Sequence, residues 1–259
     1  MRKITILLAV ALIFLFKAAE AGHLEEIAER GTIRIGTTGD YRPMSYLNPE
    51  TGEYEGIDAE LSKIIADSLG VEIEYIPTTW QTLTADTLAG KFDIALCGIS
   101  RNYARAKSMA MSDAYGEGLF GKTILCRKSD AKKFKTLADI NKPEVRVMIN
   151  PGGTNEKFAY ANLKRAKIIV FEQNAEIPNQ ISIGNADIMI TETVEALNYI
   201  ALDKNLAAPL IKEPFTRHSC GILMQKGDQE LLNYVNFVLA ELRMDGTLNQ
   251  LEVKYLGKN

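Results

Sequence analysis

A strand–helix–strand pattern that runs once through the N-terminal part of the chain and then starts again limits its possible folds more than any other feature. A short helix at residues 23–30 is followed by an alternating strand at 32–37. Residues 58–69 carry apolar side chains at helical spacing and stop at Gly70. Residues 71–76 read as a strand, 81–89 as a helix ending at Gly90, and 92–97 as a buried strand. Such alternation implies a mostly parallel sheet with helices on its faces. The second round has strands at 121–126, 145–149, 168–171 and 186–190, a helical turn at 137–140, and helices at 156–163, 175–183 and 191–202. The tail adds a strand at 221–225 and a helix at 228–244, with Gly246 behind it. The expected fold class is therefore α/β, with two lobes and a cleft between them. Residues 22–116 with 214–259 form one lobe and residues 117–213 the other. Open parallel sheets bind ligands beyond the carboxyl ends of their strands. Function is accordingly sought in the loops 37–46, 98–105 and 150–156 and in the turn 191–195.

Residues 1–21 read as a cleaved secretory signal. Arg2 and Lys3 precede an apolar run from Ile4 to Phe16, and Ala19-Glu20-Ala21 fits the small-x-small cleavage pattern. The run has 13 residues, and a transmembrane anchor needs about 20. A periplasmic protein starting at Gly22 is expected. Three cysteines cannot all pair, and Cys97 and Cys126 sit in apolar runs that suit buried free thiols. With 30 basic against 33 acidic residues, the surface does not suit nucleic acid. Two histidines and three scattered cysteines lack zinc-ligand spacing, and no phosphate-loop or dinucleotide motif occurs. No metal and no cofactor are expected.

Five segments together resemble the periplasmic solute-binding proteins for polar amino acids. They are Ile35-Gly36-Thr37 with Tyr41-Arg42-Pro43-Met44, Gly56-Ile57-Asp58-Ala59-Glu60-Leu61, Lys91-Phe92-Asp93, Gly98-Ile99-Ser100 with Arg105, and Ser112-Asp113-Ala114-Tyr115. The resemblance implies a type II two-lobed binding-protein fold with two crossover strands, closing on a ligand. It also implies that Arg105 pairs with a ligand carboxylate, helped by backbone N–H groups near Ser100 and Thr154. Within that family the chain is more similar to the cyclohexadienyl dehydratases, which convert prephenate to phenylpyruvate and arogenate to phenylalanine. The similarity rests on Asn150-Pro151-Gly152-Gly153-Thr154-Asn155-Glu156, Thr38-Gly39-Asp40-Tyr41-Arg42-Pro43, Thr79-Trp80 and Glu195. Three positions depart from the pattern. Glu192 stands where an Asp is usual, Phe120 where a Lys is usual (Lys122 follows two residues later), and Arg101 where an apolar residue is usual.

The resemblance implies a small carboxylate substrate and a proton donor for the departing hydroxyl. A carboxylic acid can donate if burial or a neighbouring carboxylate raises its pKa. Glu195 is the candidate acid. Glu192, three residues away, shares its face if the turn is helical. Substrate contacts are expected from Asp40, Tyr41, Trp80, Ser100, Arg105, Lys122, Asn150, Thr154, Asn155 and Glu192. Other roles remain open for several of these. Glu192 and Glu195 could be a capping pair, Thr154 and Asn155 a helix cap, Trp80 plain core, and Arg105 and Lys122 surface side chains. The other function that fits is a non-catalytic amino-acid receptor delivering to the permease of an ABC importer.

Overall fold

The computed structural model describes residues 22–257. The expected signal segment lies outside them. Two five-stranded mixed sheets dominate. In the first, the order is Glu72–Pro77, Thr32–Thr37, Ile94–Ala95, Leu223–Met224, Ala110–Met111. The first three strands are parallel, and Leu223–Met224 runs antiparallel to both its neighbours. Thr32–Thr37 is an interior strand, and its Ile33 and Ile35 are fully buried. They share one apolar cluster with Leu61 and Ile65 of the helix Ile57–Leu69 and with Val235 and Leu239 of the helix Gln229–Met244. Leu83, Phe92 and Met109 form a second cluster with Cys97 and Leu223.

The second sheet repeats the plan in the order Lys167–Val170, Arg146–Ile149, Ile188–Glu192, Lys122–Arg127, Leu206–Ala207. Its first three strands are parallel and the last two pairings antiparallel. Apolar clusters around Ile149 and Ile190 and around Met148 and Met189 serve it. The strands Tyr115–Phe120 and His218–Cys220 pair antiparallel where the chain passes between the sheets. Cys97, Cys126 and Cys220 are buried free thiols. Among the described residues, no helix is long and apolar enough to cross a membrane.

Several sequence expectations are corrected. The strand expected at 92–97 is only Ile94–Ala95, and the helix expected at 81–89 is Leu83–Leu88. The helix expected at 175–183 begins as the 3-10 turn Asn174–Glu176 and continues as Ile177–Ser182, with Pro178 in its first turn. Part of the expected loop 98–105 belongs to a helix, Tyr103–Ser108. The tail does not end at Gly246, because a further helix, Thr247–Leu256, packs against Gln229–Met244 and buries Leu251.

The N-terminal helix is fastened by a charged cluster. Asp93 is bonded by His23 Nε2 (2.9 Å), Arg30 Nη2 (2.5 Å) and Arg34 through its backbone N (2.7 Å) and Nη2 (2.6 Å). His23 Nδ1 meets Asp228. Only an imidazolium donates through both nitrogens. The bond to Asp93 outweighs the opposing effect of burial and, with Asp228, raises the His23 pKa above 6.5. A group raised in the folded state stabilises fully below its unfolded pKa, and that contribution is lost as pH rises through the folded one. The melting-temperature gap between wild type and His23→Gln should therefore be widest below pH 6.5 and close as pH rises. A gap independent of pH across that range would place the His23 proton elsewhere.

Candidate functional site

Successive strands of both sheets end at one small cavity. From the first sheet, the chain beyond Thr37 brings Tyr41, the chain beyond Pro77 brings Trp80, and the chain beyond Ala95 brings Gly98 and Ser100. From the second, Ile149 leads to Asn150, Gly153, Thr154 and Asn155, Val170 leads to Asn174, and Glu192 ends its own strand. The space left is about 20 Å³, room for roughly one water. Three features hold the two sides together. Asn174 Nδ2 donates to the Asp40 carbonyl (3.0 Å), Gln81 Nε2 donates to Glu172 Oε2 (3.2 Å), and Gly152 packs on Gln81.

Gly152 has φ +85°, and a Cβ there would sit 2.4 Å from the Gln81 backbone N. Gly152→Ala should therefore favour the open cleft. The left-handed backbone costs about 1–2 kcal/mol, but the clash with Gln81 exists only on closure. A larger radius of gyration by solution scattering, and ligand binding weakened at least about tenfold, are the expected results. Wild-type compaction on ligand addition would show that Gly152 does not control closure.

Lys122 is buried rather than on the surface. It begins its strand directly opposite Glu192 in the antiparallel register, so the two side chains share a face. Lys122 Nζ donates to Thr154 Oγ1 (2.7 Å), to Asn155 Oδ1 (2.6 Å) and to Glu192 Oε1. His218 Nε2 lies 3.3 Å from the same Glu192 oxygen. Burial alone would raise the Glu192 pKa, but the Lys122 charge and His218 hold it below the ordinary carboxylate value. Thr154 and Asn155 are not the helix cap. Gly153 occupies that position, and both side chains accept from Lys122 instead.

Glu192 and Glu195 do not form the expected pair on one helical face. Glu192 ends the strand Ile188–Glu192, while Glu195 lies in the first turn of the helix Thr193–Leu202. Glu195 is fully buried, accepts from Thr191 Oγ1 through Oε2, and accepts from Asn174 Nδ2 through Oε1 (3.2 Å). Burial is the main cause that raises its pKa, to about 8, and Asp40 and Glu192 add smaller contributions of the same sign. Glu195 is thus a neutral acid at pH 7. It stands behind Asn174 and does not line the cavity.

Trp80 is a cavity wall. Its Nε1 donates to Asp40 Oδ1 (3.0 Å), and its ring meets Tyr41 edge-on at 5.8 Å. Burial raises the Asp40 carboxyl. Arg105 does not line the closed cavity. Its Nη1 donates to the carbonyl of Ser100 (2.7 Å), which does. Tyr41 OH, Asn150 Oδ1, Asn174 Oδ1 and Glu192 Oε2 are buried without a protein hydrogen-bond partner. All four belong to cavity-lining residues, so the cavity wall presents unpaired polar atoms. Sequence reasoning missed Asn174 and His218. The rule of strand ends would have found Asn174, three residues past the strand expected at 168–171, whereas nothing local marks His218.

A cyclohexadienyl dehydratase of Pseudomonas aeruginosa is 39% identical over 90% of this chain and 85% of its own length. The solved structure of an ancestral amino-acid-binding protein, described as a precursor of cyclohexadienyl dehydratase, is 40% identical with a TM-score of 0.82, covering 90% of this chain and 99% of that one. An ancestral cyclohexadienyl dehydratase is 53% identical with a TM-score of 0.57, covering 92% and 98%. The fold is that of the type II periplasmic binding proteins. Residues 33–258 match the bacterial extracellular solute-binding proteins, family 3, and the chain belongs to that family.

Proposed function

We propose that this protein is an exported cyclohexadienyl dehydratase, converting prephenate to phenylpyruvate and arogenate to phenylalanine in the periplasm. The observation that carries the reading is Glu195, a buried carboxyl kept protonated near neutral pH beside a polar cavity. A binding protein needs no such proton. In the reaction the bond from the ring to its carboxylate breaks, releasing CO₂, and those electrons complete the aromatic ring. The ring C–O bond breaks with its electron pair on oxygen, and that oxygen takes the Glu195 proton and leaves as water. This requires the site re-formed around the ring to bring Glu195, one hydrogen bond behind the wall residue Asn174 in the small cavity, into contact with it. Aromatisation drives the step, so the chain's own groups need only bind, exclude water and donate. The cavity of about 20 Å³ has to open for a ring. Residues 22–116 with 214–259 move against residues 117–213, and closure re-forms the site around the substrate. Arg105, beside Ser100, takes a carboxylate as the lobes part. Purified protein with prephenate, followed by phenylpyruvate absorbance in alkali, tests the reading. No product at any enzyme concentration would reject it.

A second reading, the amino-acid receptor of an ABC importer, is supported by the 40% identity to an ancestral amino-acid-binding protein. Under it Glu192, through its unpartnered Oε2, receives the ligand's ammonium group. Calorimetry with a panel of amino acids separates the two readings when combined with the prephenate assay.

A further inference from the structure

One side chain in the cavity wall holds both the closed cleft and the acid. Asn174 is 2% exposed and follows the second-sheet strand Lys167–Val170. One amide hydrogen of Nδ2 goes to the Asp40 carbonyl, on the first-sheet side, and the other to Glu195 Oε1. With both hydrogens used, the amide orientation is fixed, and Oδ1 is left without a partner in a residue that lines the cavity. We propose that Asn174 is a positioning residue that couples cleft closure to the proton donor, its amide locked in orientation onto Glu195 only when the two sides meet. The inference rests on the dehydratase reading of the site.

The chemistry follows from which state each bond favours. The Asp40 carbonyl and Asn174 meet only across the closed cleft. With the cleft open, Asn174 stays beside Glu195, since both belong to the second-sheet side, but the amide loses the Asp40 anchor that fixes its orientation. On closure, an amide hydrogen points at Glu195 Oε1, where negative charge appears as the proton leaves. Thr191 Oγ1 holds the other oxygen in either state, because it lies on the same sheet side as Glu195. Asp40, Glu192, Tyr41 and Tyr199 also face Glu195, and none of these four bridges the cleft to it through a hydrogen bond as Asn174 does.

The test compares wild type, Asn174→Leu and Gln81→Leu with prephenate across pH. Gln81 makes a second cross-cleft hydrogen bond, to Glu172, and does not touch Glu195. Asn174→Leu is expected to lower kcat on the order of tenfold through lost positioning. It should also move the basic limb of the kcat profile upward, because a donor that favoured the carboxylate is gone. Gln81→Leu should raise KM and leave that limb in place. An unmoved limb in Asn174→Leu, or the same changes in Gln81→Leu, would overturn the coupling. Should Asn174→Leu fail to fold, Asn174→Ala carries the same expectation with less bulk. Carbon-detected NMR titration of the Glu195 carboxyl reads the coupling without turnover. If wild type makes no product, the dehydratase reading fails. The inference is then decided by whether Asn174→Leu raises that titration midpoint, as expected, or leaves it unchanged.

Discussion

Glu195→Gln should fold, bind ligand and lose turnover by at least about a hundredfold, within the range a positioned general acid supplies. The amide is nearly isosteric. Its oxygen can accept from Asn174 Nδ2, and its nitrogen can donate to Thr191 Oγ1, the two partners of the present carboxyl. Because burial already keeps Glu195 neutral up to about pH 8, the substitution removes no buried charge at pH 7. What it removes is an acidic proton. The wild-type kcat profile should accordingly fall by about tenfold per unit above pH 8, as the donor ionises. Linkage gives an independent check on the same group. A carboxyl whose pKa rises on folding loses its stabilising contribution as pH climbs from the unfolded value of 4.5 towards about 8. Glu195→Gln should therefore gain stability relative to wild type over that interval, in denaturant titrations at several pH values. Full turnover in the variant would remove Glu195 from the chemistry, and a flat stability difference would show that it is ionised when folded.

The parts of this site that follow a local rule were legible in the sequence. Tyr41, Trp80, Ser100, Asn150 and Thr154 each lie just past the carboxyl end of a strand whose alternation or apolar run could be read. The same rule reaches Asn174, but the polar stretch Glu172-Gln173-Asn174 carries no motif that singles it out. The Lys122–Glu192 pair was not readable. It depends on the antiparallel register of two strands about 70 residues apart, and register is set by the whole sheet rather than by either segment. For the same reason Lys122 could not be placed inside or outside from its own neighbourhood. Ala110–Met111 and Leu206–Ala207 are two residues long, too short for any period to show. Thr247–Leu256 lies beyond Gly246, a residue that reads as a helix stop. The apolar spacing of Leu248, Leu251 and Tyr255 beyond it was the available signal, and Leu251 is the side chain it buries.

Glu192→Ala should be the most destabilising single change in the site, by about 3–5 kcal/mol, the cost of leaving one member of a buried ion pair alone. The side chains of Lys122 and Glu192 are each only 5% exposed, so neither charge is relieved by water. Thr154 Oγ1 and Asn155 Oδ1 would still accept from Lys122 Nζ, but two neutral acceptors do not replace a carboxylate against a buried ammonium. His218 Nε2, 3.3 Å from the removed oxygen and without a hydrogen-bond partner, would lose its nearest carboxylate as well. At this chain length a loss of that size lowers the melting temperature on the order of 10 °C. The pair need not be there for stability, and a second variant separates the two possibilities. Glu192→Leu combined with Lys122→Met replaces both charges by apolar groups of similar size, an exchange that is often neutral or stabilising. The double variant should recover most of the melting temperature and still fail to turn over or bind, since Glu192 Oε2 is one of the four unpartnered polar atoms of the cavity. A loss below about 1 kcal/mol in Glu192→Ala, the range of exposed pairs, would mean that Lys122 reaches solvent. A double variant no more stable than Glu192→Ala would mean that the pair is part of the packing that holds the second sheet to its helix Thr154–Asn162.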